Sequence, residues 1–352
     1  MSLPKNDFNI VCPIGGEGSA VIKLGHGSGG RMTDQLIDSA FLPILFNPIL
    51  GQKEDASVVP LNSERLAFTT DSYVVNPIIF PGGDIGSLSV HGTVNDLCMR
   101  GAKPLYLSCA FIMEEGLCLK KLDTIVNSIQ RACVECGIQL ISADTKVVNK
   151  GCGDQLFINT SGIGLIESAH VPSVSSARAG DIVICSGDLG RHGMAIMAAR
   201  EGLDLETTIE SDSAPLHVLV ENLTQIGASL HVLRDITRGG LAGVLNEIAL
   251  ASKHGVEIDE SAIAVNAEVR AACEILGLDP LYVACEGRLV AIVEPECETS
   301  ALSLIRQSPY GEGAAKIGRI VGEHPGRVVM RSTVGGRRIV DKLAGEQLPR
   351  IC

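Results

Sequence analysis

The sequence predicts an α/β protein of two domains with mixed α+β sheets, and three observations carry that prediction. A length of 352 residues suits two domains, each long enough to bury its own core. β-Rich runs and apolar residues at helical spacing alternate through both halves. A polar stretch from Glu167 to Gly180, with Pro172 and repeated serines, interrupts that pattern between them.

Residues 1–20 hold Pro4, Pro13, Gly15, Gly16 and Gly18 without an apolar period and read as a mobile lead-in. The first strand pattern is Val21–Leu24, which opens a first domain over 21–170. Leu66–Thr70, Tyr106–Met113, Ile138–Ser142 and Phe157–Ile166 are its further strands. Leu122, Ile125, Val126, Ile129 and Cys133 recur at helical spacing, with Gly137 placed to end that helix. The second domain, 178–340, starts with a strand at Asp181–Ser186. Helix patterns follow at Gly190–Arg200, Pro215–Ile226, Leu241–Lys253, Ala267–Leu276 and Cys297–Gln307. Its other strands are Leu230–Leu233, Arg288–Val293, Lys316–Val321 and Arg327–Met330. Residues 341–352 lose both periods and read as a flexible tail.

Hydrophobic residues at 45% and charged ones at 20% mark an ordinary globular composition. A formal charge of −12, with no basic stretch interleaved with aromatics, leaves little from which to build a nucleic-acid surface. The apolar stretch Phe41–Leu50 carries two prolines and is too short to span a bilayer, and no signal peptide is legible, so a cytoplasmic protein without membrane contact is expected. Twelve cysteines scattered through apolar segments read mainly as reduced core residues. Cys133-Val-Glu-Cys136 falls inside an amphipathic helix and has no partner pair at zinc spacing. The eight histidines show no H-E-x-x-H; His26 and His91, next to glycine motifs, are the ones to watch.

Three features point to chemistry. Gly25-His-Gly-Ser-Gly-Gly30 matches G-x-G-x-x-G, but Pro43 and Pro48 break the segment that follows, and Arg31-Met32 stands where a P-loop needs Lys and Ser or Thr. It reads as a tight turn or as a glycine lid whose N–H groups meet phosphate. Next, Asp55, Asp71, Asp144 and Asp235 follow apolar or strand-like runs, and Asp96 joins them on a helix. One such Asp is a turn residue or N-cap; five converging on a cleft would repel each other unless a hard divalent cation such as Mg²⁺ bridged them to phosphates. Last, Cys352 ends an aperiodic tail whose final ten residues reach up to about 33 Å when extended. It is either an accident of the terminus or a swinging thiol that carries an acyl-type group.

These pieces occur in a familiar order: HGSGG at His26–Gly30, TDSYVV at Thr70–Val75, FPGGDIG at Phe80–Gly86, GTVND at Gly92–Asp96, ADTKVV at Ala143–Val148, RDITRGG at Arg234–Gly240, CEGR at Cys285–Arg288 and PRIC at Pro349–Cys352. The chain resembles the HypE family of hydrogenase maturation factors, carbamoyl dehydratases of the aminoimidazole ribonucleotide synthetase-like (PurM-like) ATP-binding superfamily. The resemblance runs from Leu24 to Cys352, and PRIC separates the family from selenophosphate synthetase and thiamine monophosphate kinase. It implies a PurM-like fold whose N-terminal domain forms a barrel with a second subunit, with ATP in a cleft near that interface and a C-terminal α/β domain. It also implies that the carbamoyltransferase HypF loads Cys352, that ATP drives dehydration of the thiocarboxamide to a thiocyanate, and that the cyano group passes to iron on HypC–HypD.

On that resemblance Asp55, Asp71, Asp96, Asp144 and Asp235 are assigned to Mg²⁺–ATP, Gly239 and Gly240 to close phosphate approach, and Lys146 and Glu286 to the deprotonation. Lys146 reads equally as a charge clamp, and Glu286 would need a raised pKa. Two departures from the family pattern are the long lead-in and Arg288, where the family often carries Lys. Two other readings stand beside it. One is a PurM-like phosphotransferase, selenophosphate synthetase or a small-molecule kinase, for which Cys352 would be dispensable. The other is a non-catalytic thiol carrier with no reason to hydrolyse ATP.

Overall fold

The structure, a computed structural model, describes residues 29–45, 48–61, 64–200, 208–345, 348 and 350–352. The expected lead-in, the Val21–Leu24 strand and His26 lie outside the described residues. Two short helices, α1 (Arg31–Leu36) and α2 (Leu42–Leu45), precede the first sheet. That sheet begins with β1 (Ser57–Leu61) paired antiparallel to β2 (Glu64–Tyr73). A two-stranded ribbon, β3 (Ile79–Phe80) and β4 (Gly83–Asp84), then leads into α3 (Ile85–Met99).

α3 starts where it does because Asp84 caps it: its carboxylate accepts from the N–H groups of Gly86 and Ser87 at 2.7 and 3.0 Å, and from the Ser128 hydroxyl at 2.7 Å. The helix is apolar nearly all round, as burial on every side requires; it lies between the sheet strands β2 and β7 and the second domain. β5 (Lys103–Glu114), the crossover helix α4 (Leu119–Glu135), β6 (Gln139–Val148) and β7 (Leu156–Ile166) complete the sheet in the order β1-β2-β7-β5-β6. Only the β5–β6 pair is parallel, which is why it needs the helix between its strands. β7 alternates buried and half-buried residues along its whole length, whereas β6 at the edge is exposed on both faces.

The second sheet runs β14-β13-β10-β12-β8-β11-β9. Its elements in chain order are β8 (Ile182–Cys185), α5 (Arg191–Ala199), α6 (His217–Leu223), β9 (Leu230–Asp235), α7 (Gly240–Ser252), β10 (Gly255–Asp259), α8 (Ala267–Leu276), β11 (Leu289–Val293), α9 (Glu298–Arg306), β12 (Ala315–Val321), β13 (Val328–Arg331) and β14 (Arg337–Val340). β8 and β11 are buried at every position, so they read as unbroken apolar runs. Sequence periodicity misses β1, β10 and β14, which are short and carry charge or proline. Cys98, Cys109, Cys133, Cys136, Cys185, Cys273 and Cys285 are buried free thiols. Among the described residues no helix is long and apolar enough to cross a membrane.

Candidate active site

Four elements bring acids to the cleft between the domains. The loop before β1 supplies Asp55, β2 supplies Asp71, α3 supplies Asp96, and the end of β9 supplies Asp235. Carboxylate oxygens of Asp55, Asp96 and Asp235 lie within 4.8 Å of one another. The Thr69 hydroxyl sits 2.8 Å from Asp96 Oδ2 and 2.9 Å from the Asp55 carbonyl oxygen, tying β2 to both. Arg234 pairs with Asp55 at 2.6 Å and with Glu247 on α7 at 2.6 Å, and Glu247 is paired in turn with Lys342 at 3.1 Å.

This arrangement is electrostatically unfinished. Burial pushes the Asp55 carboxyl well up against the pull of Arg234, and burial with the neighbouring Asp71 does the same to Asp96. Asp235 is raised to about 6, mainly by burial. Asp55 Oδ2 is buried without a hydrogen-bond partner. Oxygen donors packed this closely, one of them unpaired, fit a hard divalent cation such as Mg²⁺, which would supply the charge they lack.

Asp71 also acts on the chain terminus, raising the Cys352 thiol. The described tail residues are docked in the cleft: the N–H group of Val74 donates to the terminal carboxylate of Cys352 and that of Asn76 to the Arg350 carbonyl, both at 3.1 Å. Arg200 donates to the Arg350 carbonyl at 2.9 Å, Arg350 pairs with Asp154, and Leu348 and Ile351 are buried. The partly buried Cys352 thiol is pushed up to about 12 by burial, with Arg238 opposing and Glu286 and Asp71 reinforcing. Glu286, 4% exposed, has an Oε1 without a partner, and burial with Asp235 and Asp212 raises its carboxyl. Asp71 accepts from the Tyr73 hydroxyl at 3.2 Å; that hydroxyl fits because position 92 is glycine, where a Cβ would stand 2.3 Å from it.

Of the residues singled out in the sequence, Asp55, Asp71, Asp96, Asp235, Glu286 and Cys352 therefore share the cleft. Asp144 and Lys146 do not join them within one chain: they pair with each other at 2.7 Å on β6, with side chains 65% and 68% exposed. Gly239 faces the Gly29 carbonyl, and Gly240 is demanded by packing, since a Cβ there would lie 2.4 Å from the Leu281 carbonyl oxygen. Gly29 and Gly30, the described end of the glycine motif, cross next to Arg238. Sequence reasoning did not single out Arg234, Arg238, Asp212 or His192. The two arginines were legible inside RDITRGG as counter-charges to an acid-rich site; Asp212 and His192 carry no local signal.

Comparisons with known proteins show the family. Residues 53–166 match the family described as AIR synthase related protein, N-terminal domain, and residues 178–331 match its C-terminal domain. The chain is 51% identical to the carbamoyl dehydratase HypE of Bradyrhizobium diazoefficiens over 94% of its own length and 96% of the relative's. It is 43% identical to that of Escherichia coli, over 94% and 99%. Among solved structures, a HypE–HypF complex superposes with a TM-score of 0.83 at 45% identity, covering 88% of this chain and 99% of that one. HypE in complex with ATP superposes at 0.79 and 48%, covering 93% and 98%. A thiamine monophosphate kinase from Aquifex aeolicus shares the fold alone, at 17% identity, a TM-score of 0.61, and coverage of 89% and 99%. The chain thus belongs to the HypE family of hydrogenase maturation carbamoyl dehydratases, within the AIR synthase related proteins.

Proposed function

We propose that this chain uses ATP to dehydrate a carbamoyl group carried on the Cys352 sulfur to a thiocyanate, supplying cyano ligands for the iron of a [NiFe] hydrogenase. One observation carries the residue assignment: the terminal thiol sits close enough to Arg238, Glu286 and Asp71 to feel their charges, and Asp71 also acts on Asp96 and Asp235 of the carboxylate trio.

The chemistry balances as R–S–C(=O)–NH₂ plus ATP giving R–S–C≡N, ADP, phosphate and a proton. The amide oxygen attacks the γ-phosphorus and ADP leaves; the C–O bond then breaks with the phosphate as both N–H protons depart. Asp55, Asp96 and Asp235, with Asp71 beside them, would hold Mg²⁺, which when bound neutralises phosphate charge and orients the transferring group. Glu286 is the base that this cleft offers to the carbamoyl nitrogen: burial and the neighbouring Asp235 and Asp212 raise its carboxyl, which makes it a stronger proton acceptor than an ordinary glutamate. Arg238, whose charge acts on the Cys352 sulfur, would offset negative charge growing on the departing oxygen.

A seated thiol with a pKa near 12 is a poor nucleophile, so loading by the carbamoyltransferase HypF belongs to a tail swung out of the cleft, and dehydration to the tail seated in it. Delivery of the cyano group to HypC–HypD likewise requires an exposed tail. For Asp144 and Lys146 we assign a site completed across a homodimer. β6 leaves Leu140, Ile141 and Val147 exposed at 38%, 59% and 66% along the sheet edge, which a second N-terminal sheet would cover to close a barrel. The test is intact mass after incubation with the carbamoyltransferase and carbamoyl phosphate, before and after Mg-ATP. One carbamoyl group gained on Cys352, then one water lost only with ATP, is expected; an adduct unchanged by ATP sinks the reading.

A further inference from the structure

Beneath the docked tail, His192 stands at the first turn of α5, fully buried. Its Nε2 lies 2.5 Å from the Ile351 carbonyl oxygen and its Nδ1 2.7 Å from the Ser211 hydroxyl. A carbonyl oxygen only accepts, so Nε2 carries the ring proton and Nδ1 accepts from Ser211. Ser211 is oriented for this by the Ser213 N–H, which donates to its oxygen at 3.0 Å. The edge-on Phe80 ring, with centroids 5.5 Å apart at 88°, restrains the imidazole.

The same small scaffold holds the base. Asp212 Oδ1 accepts from the backbone N–H of His192 at 3.1 Å and from that of Glu286 at 3.2 Å. The residue that grips the tail and the peptide that carries Glu286 are therefore registered to one buried carboxylate. Ser211 N–H also donates to the Pro81 carbonyl at 2.8 Å, which fixes this scaffold to the first domain.

We infer that His192 is a positioning residue for dehydration: by holding the peptide that precedes Cys352, it sets the carbamoylated sulfur against Glu286, and it is idle while the tail is outside for loading. This deepens the proposed dehydratase reading and rests on it. The other tail contacts fix residues 350 and 352; His192 fixes the carbonyl between them, and with it the direction in which the last side chain leaves the backbone.

The test separates the two steps on the full chain with its carbamoyltransferase. His192→Ala is expected to load Cys352 at least as fast as wild type and to bind ATP equally well. Its single-turnover loss of water should slow about 10- to 100-fold, the usual cost of misplacing a reacting group by an ångström. His192→Gln, whose amide can donate to the same carbonyl, should recover most of that rate. Ser211→Ala, a gentler change should His192→Ala fold poorly, should slow dehydration by a smaller factor with loading intact. Iodoacetamide alkylation of Cys352 should rise about fivefold in His192→Ala, as expected for a seat short of one hydrogen bond. Dehydration at the wild-type rate in His192→Ala, equal losses in the Ala and Gln variants, or loading that falls in parallel with dehydration would each overturn the inference. If wild type itself loses no water on adding ATP, the dehydratase reading fails instead, and the alkylation comparison still decides whether His192 holds the tail.

Discussion

The interdomain cleft and the outer face of β6 treat acidic side chains in opposite ways. In the cleft, Asp55, Asp96 and Asp235 crowd within 4.8 Å, and Asp235 is only 6% exposed. On β6, Asp144 stands in solvent with its charge already answered by Lys146. Crowded, buried and partly unpaired acids store electrostatic cost that a divalent cation can relieve; a solvated pair stores almost none. The difference teaches where binding energy is available in one chain, and why the β6 residues have work to do only if another surface covers them.

The largest expected effect is at the thiol. Cys352→Ala should abolish the carbamoyl mass gain while leaving ATP affinity within about twofold of wild type, because the carboxylates proposed to hold the metal do not depend on the tail; calorimetry and intact mass check this together. Next, Asp235→Asn should lower dehydration by roughly a hundredfold or more through lost Mg-ATP binding. In metal-free buffer near pH 8 it should nevertheless stabilise the fold by on the order of 1 kcal/mol, since it removes a buried charge. An apo variant less stable than wild type would show that the trio is not repulsive.

Lys146→Ala gives the sharpest test of the contrast. The fold should lose less than about 0.5 kcal/mol, as expected of an exposed pair, whereas dehydration should fall steeply if the β6 face completes a partner's cleft. Mixing Lys146→Ala with Glu286→Gln protein should then restore roughly a quarter of wild-type activity, because randomly mixed dimers rebuild one intact site in half the pairs. No recovery would remove β6 from the site. The smallest effect is a pH dependence of metal-free stability. Asp235 titrates at about 6 in the fold against an ordinary 3.8, so the folded chain holds that proton more tightly than the unfolded one. Its stabilising contribution is present below about pH 4 and is lost as pH rises through 6, so Mg²⁺ should raise Tm more near pH 8 than near pH 5; equal shifts would break the assignment.

Legibility followed sequence distance. The strand runs of the first domain and the amphipathic period of α4 were plain, because alternation and helical spacing are local. β10 and β14 were not, since runs of five and four residues carrying two charges each look like a loop until β13 pairs with both. Asp55 and Asp144 carry the same local signature, an acid beside a strand, and nothing nearby in sequence distinguishes the buried one from the exposed one. His192 and Asp212 were invisible because their partners, Ile351 and Glu286, lie more than 70 positions away.

By itself the sequence determined the two-domain α/β organisation, the acid-rich and glycine-rich motifs and, through their order and the terminal PRIC, the family. Only the tertiary structure decided which acids share a cleft, that the described tail is seated in it, and that one buried carboxylate registers His192 with Glu286. Periodicity and motif order are properties of neighbours along the chain. Burial, charge coupling and hydrogen-bond partners depend on segments far apart in sequence being packed together, and a pKa or a grip on a carbonyl exists only once they are.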